Sequence, residues 1–95
     1  MNWRKVYIKI IHNAQKEATF RQTQYKIYKR SLNLFNKNKS SFILGYYYEN
    51  HHILPKSLFP LWEKRKSNLV LLTAREHFFC HQLLNKIYSG EKMLL

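Results

Sequence analysis

Apolar residues recur at helical spacing through the first third of the chain. Between residues 3 and 18 they stand three or four positions apart, so they fall on one face of a helix. This first stripe consists of Trp3, Val6, Tyr7, Ile10, Ile11, Ala14 and Ala18. A second helical stripe follows and consists of Tyr25, Tyr28, Leu32 and Phe35. Because no glycine or proline separates the two stripes, the sequence leaves open one long helix or a hairpin of two.

The pattern loses its helical period after residue 35. Residues 36–41 are polar and predict a loop. Residues 42–54 are rich in aromatic and β-branched side chains, which favours a strand or the first arm of a hairpin. Pro55 and Pro60 lack the N–H that a sheet ladder needs, so residues 56–67 are predicted to form a loop. Residues 68–72 are typical of a short apolar strand.

A final helix is predicted from about Ala74 to Tyr88, ending near Gly90. Thr73 and Glu76 match a capping box, in which each side chain accepts a hydrogen bond from the backbone N–H of the other. We expect the apolar side chains of this helix to form its packing surface, namely Phe78, Phe79, Cys80, Leu83, Leu84 and Ile87. The predicted fold class is therefore α+β, with helices first and then strand, loop, strand and helix.

Composition limits the class of protein. A chain of 95 residues with 45% hydrophobic and 16% aromatic residues suits one folded domain. Cys80 is its only cysteine, which excludes a disulfide within one copy and a cysteine-based zinc ribbon. No apolar run approaches the ~20 residues of a membrane span, and we expect no signal peptide. We therefore expect an intracellular protein that is neither secreted nor attached to a membrane.

The net charge is the strongest global signal. Seventeen Lys and Arg residues face five Glu and no Asp, which gives a formal charge of +12. Such a field attracts polyanions, so DNA is the expected partner, with RNA not excluded. A ribosome-like structural role and a merely solvated basic surface are the alternatives that charge alone leaves open.

Several basic and aromatic residues surround the predicted strands. The basic ones are Lys56, Lys64, Arg65 and Lys66 in the loop and Arg75 in the first turn of the last helix. Those of the loop could hold backbone phosphates or simply be solvated, and Arg75 could reach a phosphate or pair with Glu49. Tyrosines 46–48 could stack on bases, but such residues more often fill a small core, which we expect for at least two of them.

Four of the five histidines lie in the second half of the chain. His77 and His81 are four positions apart on the predicted helix, so both imidazoles face one side and can bind one ion. Neighbours in a strand point to opposite faces, so only one of His51 and His52 faces that pair squarely. One of these two can complete a three-histidine metal site while the other stays free to act as a base. We expect the fifth, His12, to be a surface residue.

Residues 49–56 have the sequence ENHHILPK, and residues 67–84 have the sequence SNLVLLTAREHFFCHQLL. Together they resemble the HNH (ββα-metal) motif of phage-borne free-standing and intron homing endonucleases. The resemblance implies a ββα-metal nuclease unit over residues 42–90. A basic helical segment, residues 1–41, would precede it, and a short tail, residues 91–95, would follow it within a single domain.

The resemblance also implies a role for each site residue. The ligands of one divalent metal ion (Mg, Mn, Zn or Ni) would be His51, His77 and His81. His52 would be the general base, and Asn68 would orient it through its side-chain carbonyl. Glu49 would support the ligands without binding the metal itself.

The expected function is metal-dependent hydrolysis of DNA phosphodiesters, and the resemblance implies that the products are a 5′-phosphate and a 3′-hydroxyl. A single site nicks one strand unless the protein forms a homodimer or joins a larger nucleoprotein assembly. Such an enzyme would act in the cytoplasm of a bacterial or phage-infected cell or in an organelle. Two alternatives are a non-catalytic nucleic-acid-binding subunit that keeps the nuclease fold and a structural zinc site. The complete histidine and asparagine set argues against the binding subunit, because binding needs no base, and a fourth protein ligand would favour structural zinc.

Overall fold

A computed structural model of the protein describes residues 2–88, which form three helices and one two-stranded antiparallel sheet. The helices are α1 (Trp3–Lys16), α2 (Ala18–Asn36) and α3 (Ala74–Ile87), and the strands are β1 (Glu49–His52) and β2 (Leu69–Leu72). Two 3-10 turns, Pro60–Trp62 and Lys66–Asn68, lie in the loop between the strands. The α+β class predicted from the sequence is confirmed. Gly90 and the predicted tail, residues 91–95, lie outside the described residues.

The first two stripes form two helices with only Glu17 between them. The backbone of Glu17 (φ −98°, ψ 12°) departs from helical values, which interrupts the helix between Lys16 and Ala18. The longest dimension of residues 2–88 is 50 Å. Helix α2 alone accounts for about 28 Å of length at 1.5 Å per residue. The segment is therefore neither of the two forms that the sequence left open, because it consists of two helices that follow one another without packing side by side as a hairpin.

Residues 42–48 do not form the strand predicted for them, which begins only at Glu49. They lie against α2, where the Leu44 N–H donates to the Ser31 hydroxyl at 2.8 Å. Gly45 has a φ of +76°, and a Cβ there would stand 2.4 Å from a carbonyl oxygen of α2, so glycine is required. The prediction was wrong because a helix, and not a second strand, satisfies backbone groups of this segment.

Strands β1 and β2 pair in a register that places Glu49 opposite Leu72 and His51 opposite Val70. Since side chains alternate along a strand, Glu49 and His51 share one face of the hairpin. His51 is fully buried on that face, whereas His52 is only half-buried. The sheet therefore separates the two histidines of the dipeptide, as strand geometry predicts.

Helix α3 begins with the predicted capping box. The Thr73 hydroxyl accepts from the Glu76 N–H at 3.1 Å, and the Glu76 carboxylate accepts from the Thr73 N–H at 2.9 Å. Two bonds thus satisfy backbone donors that would otherwise be unpaired at the helix start. This reciprocal cap fixes where α3 begins. It therefore also fixes the position along the helix axis of His77, which lies one turn after Thr73.

One hydrophobic core joins α1, β2 and α3. Its buried members are Tyr7, Ile11, Ala14, Val70, Leu72, Cys80, Leu83 and Leu84. The predicted burial of Cys80, Leu83 and Leu84 is confirmed. The prediction for Phe78 and Phe79 was wrong, since they are 68% and 44% exposed. The buried stripe of α3 passes through Cys80 and Leu84, which turns Phe78 to the opposite side of the helix.

Arg21 ties α2 to the sheet and to α3, and it is only 5% exposed. Its Nη1 donates to the Leu71 carbonyl at 2.9 Å and to the Glu76 carboxylate at 2.7 Å. Its Nη2 donates to the other Glu76 oxygen at 3.2 Å and to Glu17 at 3.1 Å. The hydrogen bonds to Glu76, which outweigh the cost of burial, raise the pKa of Arg21 above its usual value. Burial would raise the pKa of Glu76, but the bonds from Arg21 and Thr73 outweigh it and lower that pKa.

The three consecutive tyrosines divide between core and surface. Tyr48 is buried, and its ring centroid lies 5.3 Å from the Arg21 guanidinium carbon. Tyr46 and Tyr47 are 56% and 48% exposed, so the prediction that at least two of the three fill the core was wrong. Since these residues lie outside the sheet, strand alternation does not decide which of them faces the interior.

Among residues 2–88, no helix has the length and apolar character needed to cross a bilayer.

Candidate metal centre

The side chains of His51, His77 and His81 converge where β1 meets α3. One ring nitrogen from each lies within 4.8 Å of the other two. The ring centroids are 5.1 Å apart for His51 and His77, 5.5 Å for His51 and His81, and 4.6 Å for His77 and His81. One turn of helix separates His77 from His81, and the sheet register brings His51 to the same place.

His51 is held in one tautomer by Tyr7 of α1. The Tyr7 hydroxyl lies 2.7 Å from the His51 Nε2 and 2.7 Å from the Ile53 carbonyl oxygen. Burial raises the pKa of Tyr7 far above its usual value, so the hydroxyl keeps its single proton. A carbonyl can only accept, so that proton goes to Ile53, and the hydroxyl oxygen accepts from His51 Nε2–H. The lone pair of His51 therefore resides on Nδ1.

His77 is oriented by a carboxylate. Glu49 Oε1 lies 2.8 Å from the His77 Nδ1. A second hydrogen bond reaches Glu49 Oε2 from the Tyr47 hydroxyl. The bond from Tyr47, and after it the one from His77, lowers the pKa of Glu49, so the group is a carboxylate at neutral pH. Because that carboxylate accepts from Nδ1–H, the other ring nitrogen of His77, Nε2, is left to face His81.

The donor set fits a divalent metal ion on three observations. The Nδ1 of His51 is buried and has no hydrogen-bond partner in the part of the chain that the structure describes. The Nε2 atoms of His77 and His81 lie 3.0 Å apart. Two nitrogens bound at 2.0–2.1 Å to one ion stand about 2.9–3.4 Å apart, depending on the coordination angle. The pairing of Glu49 with His77 is the arrangement that commonly supports a metal-binding imidazole.

Protonation also favours metal binding at neutral pH. Burial, and after it the neighbouring histidines, lowers the pKa of His51 to about 3. Burial and the proximity of His77 lower the pKa of His81 as well. A histidine must be neutral to bind a metal, so neither residue has to lose a proton at pH 7.

A cavity of about 260 Å³ opens beside the three histidines. His52 lines it but does not belong to the group of converging nitrogens. Lys56 and Ser57 line the same cavity. The geometry thus combines a group able to bind a cation, a separate imidazole and a basic side chain around one space large enough for a phosphate group.

Asn68 differs from the role that the resemblance implied. It is buried, and its Oδ1 accepts from the Leu54 N–H at 2.7 Å. Its Nδ2 donates to the carbonyls of Leu54 and Trp62, each at 3.1 Å. No hydrogen bond joins Asn68 to His52 within residues 2–88. The side chain instead closes the loop that follows β1, so it can position His52 only through the backbone.

The predicted phosphate-binding residues are spread over a wider surface than the cavity. Only Lys56 lines it, and its ammonium group lies 3.9 Å from the Glu63 carboxylate. Lys64, Arg65 and Lys66 are exposed, with the Arg65 guanidinium carbon 4.8 Å from the centroid of the Trp62 ring. Arg75 is exposed and forms no salt bridge to Glu49, whose carboxylate is bonded to His77 and Tyr47 instead. His12 is exposed on α1, as expected.

Tyr7 and Arg21 were not recognised from the sequence as important to the site. Tyr7 stands in the first apolar stripe, where a tyrosine is most simply explained as a packing residue. Arg21 occupies the position four residues before Tyr25, so it extends the second stripe by one turn. A charged residue at an apolar-face position, four residues after Glu17, was the available signal for a buried ion pair.

The chain is similar to several proteins of Enterobacteria phage T4 that are named probable mobile endonucleases. It is 45% identical to probable mobile endonuclease B over 60 residues, which are 63% of this chain and 22% of that protein. It is 45% identical to endonuclease E over 51 residues (54% and 35%) and to endonuclease D over 69 residues (73% and 24%). The chain thus spans between about a fifth and about a third of the length of these relatives. No protein-family model matches the chain, and no solved structure matches it significantly.

Proposed function

We propose that this chain is a metal-dependent endonuclease of the HNH type that hydrolyses DNA phosphodiesters, one strand at a time. The observation that carries the proposal is that three of four neighbouring histidines converge while the fourth stays outside their group. Three converge with their nitrogens within 4.8 Å, and the fourth, His52, faces the adjoining cavity on its own. Similarity to proteins named mobile endonucleases supports the same class of activity.

In this mechanism His52 takes a proton from a water molecule in the cavity through a ring nitrogen. The water oxygen forms a bond to phosphorus, the bond from phosphorus to the 3′-oxygen breaks, and the 3′-oxygen takes a proton from solvent. The products are a 5′-phosphate and a 3′-hydroxyl. A divalent metal bound by His51, His77 and His81 would stabilise the negative charge that develops on the phosphate oxygens. Lys56, which lines the same cavity, can bind the same phosphate.

The surrounding residues serve mainly to hold these groups in place. Tyr7 fixes the tautomer of His51, and Glu49 fixes that of His77. Asn68 holds the backbone after β1 and so keeps His52 at the cavity. Such positioning matters because a catalytic group displaced by about 1 Å can lose on the order of 100-fold in rate.

A structural zinc site is less well supported, because three side chains and not four converge among residues 2–88. A non-catalytic DNA-binding subunit would use the charge of +12 equally well. Such a subunit would not need His52 beside the three converging histidines, because binding requires no general base. The presence of His52 there therefore favours the nuclease.

The experiment that tests the proposal is nicking of supercoiled plasmid by the purified protein in EDTA, Mg²⁺, Mn²⁺, Ni²⁺ or Zn²⁺. We expect nicking that requires a divalent metal and falls on the order of 100-fold or more in His52→Ala, the usual scale for a general base. His12→Ala, which removes an exposed histidine away from the site, is the matched control and should retain full activity. Absence of nicking with every metal, together with salt-sensitive DNA binding that His52→Ala leaves unchanged, would identify a binding subunit instead.

A further inference from the structure

Helix α2 presents a continuous basic face that the proposed catalytic site does not use. Between residues 18 and 48 the chain has no acidic residue and six basic ones, of which Arg21 alone is buried. Lys26, Arg30 and Lys37 are all exposed, and none forms a salt bridge within residues 2–88. Their charges are therefore available to a partner.

These three cations lie on the face of α2 opposite its packed face. The packed face runs through Arg21, Tyr28 and Ser31, which contact the sheet and the segment before it. At 100° per residue, Lys26, Arg30 and Lys37 fall within about 40° of one another on the far side. The other residues at similar angles are polar and uncharged, namely Thr19, Thr23 and Asn33. This strip thus offers hydrogen-bond donors and positive charge with no carboxylate to repel a phosphate, and the exposed apolar side chains of Ile27 and Leu34 flank it.

The first turn of α2 lies next to the start of α3, which carries His77, and the rest of α2 extends away from it. Arg21 is bonded to Glu76, which directly precedes His77. From Arg21 to Lys37, the residue that caps the C-terminus of α2, the chain rises about 24 Å at 1.5 Å per residue. That length corresponds to roughly seven base pairs of duplex at 3.4 Å each.

We infer that the outward face of α2, defined by Lys26, Arg30 and Lys37, is a second DNA-binding surface that holds the duplex arm next to the cleaved phosphodiester. The inference rests on the proposed function, since it assigns a role in substrate binding to a surface outside the catalytic cavity. The occupant is duplex DNA, because the phosphates that recur along a rigid duplex can pair with cations that recur along one side of a helix. The contacts are to the backbone, so they add affinity without sequence preference.

The test compares two triple variants with the same loss of charge. The first is Lys26→Gln, Arg30→Gln, Lys37→Gln. The second carries Lys5→Gln, Lys9→Gln and Lys16→Gln, three exposed residues on the outward face of α1. Binding of a 30-base-pair DNA duplex is measured by fluorescence anisotropy in EDTA between 50 and 300 mM NaCl. Thermal unfolding of each variant verifies that it is folded.

The α2 variant should bind about 100-fold or more weakly at 0.1 M salt, and the slope of log K against log salt should fall by about 2.7, as expected for three lost phosphate contacts. The α1 variant should change that slope by less than about 1. Equal losses in both variants would overturn the inference, because net charge and not the α2 face would then govern binding. The inference would also be overturned if the α2 variant lost affinity for an RNA duplex but bound the DNA duplex as well as the wild-type protein does.

Binding and cleavage separate this inference from the proposed function. If the wild-type protein binds the duplex through α2 but never nicks plasmid, the surface stands and the nuclease proposal fails. If the wild-type protein nicks plasmid and the α2 variant binds and nicks as well as wild type, the nuclease stands and the surface is refuted.

Discussion

Replacing Arg21 tests whether the buried ion pair holds α2 against the rest of the fold. Arg21→Met removes the two bonds to the Glu76 carboxylate and the bond to the Leu71 carbonyl while keeping most of the side-chain volume. Removing one partner of a buried ion pair lowers the free energy of unfolding by about 3–5 kcal/mol. The Glu76 side chain is 32% exposed and can regain water, so we expect the lower end, about 3 kcal/mol. For a domain of this size that loss lowers the Tm by roughly 15 °C.

Chemical denaturation and calorimetry of the metal-free protein measure this loss. Arg30→Met, on the exposed side of the same helix, is the matched control and should change the free energy of unfolding by less than about 0.5 kcal/mol. The double variant with Glu76→Gln should lose less than the sum of the two single variants, because the carboxylate left unpaired is then absent. A loss below about 1 kcal/mol in Arg21→Met would refute the assigned role.

The same pair predicts a dependence on pH. The pKa of Glu76 is lowered in the folded protein, so its contribution to stability is complete above the unfolded value of 4.5 and is lost as the pH falls through the folded value. The wild-type protein should therefore lose more stability between pH 5 and pH 3 than Arg21→Met does. Parallel stability curves for the two proteins over that range would show that Arg21 does not stabilise the ionised Glu76.

Two further variants test the residues that position the site. Asn68→Ala removes three hydrogen bonds from a buried position and should lower the free energy of unfolding by about 2–3 kcal/mol. It should also reduce nicking although His52 is intact, and an unchanged nicking rate would exclude the positioning role. Tyr7→Phe removes the acceptor for His51 Nε2–H and should weaken metal binding about 10-fold or more, measured by calorimetric titration. If Tyr7→Phe lowered the free energy of unfolding but left the metal affinity unchanged, Tyr7 would contribute to packing and not to metal binding.

The elements that the sequence predicts well are those with a local cause. The capping box follows from Thr73 and Glu76 alone, since the two residues are three positions apart and need no other part of the fold. The pairing of His77 with His81 follows from helical geometry in the same way. The side chains of His51 and His52 point to opposite faces because side chains alternate along a strand.

What the sequence did not reveal depends on contacts between residues far apart in the chain. Tyr7 and His51 are 44 positions apart, and Arg21 and Glu76 are 55 positions apart. Neither residue type indicates its partner, because a tyrosine in an apolar stripe and an arginine on a helix each have a simpler local explanation. The segment before β1 was assigned to a strand because its composition favours one, while its actual partner is α2. Phe78 was assigned to the core on its residue type, but the direction of the helix turns it outward.

The measurement that most directly tests the proposed division of the histidines is calorimetric titration of Zn²⁺ into the wild-type protein, His52→Ala and His81→Ala. We predict one ion per chain in the wild-type protein and an unchanged affinity in His52→Ala. In His81→Ala the affinity should fall by more than about 100-fold, because losing a ligand costs more than losing an outer hydrogen-bond partner. If His52→Ala weakened binding as strongly as His81→Ala, His52 would be a metal ligand and could not be the general base.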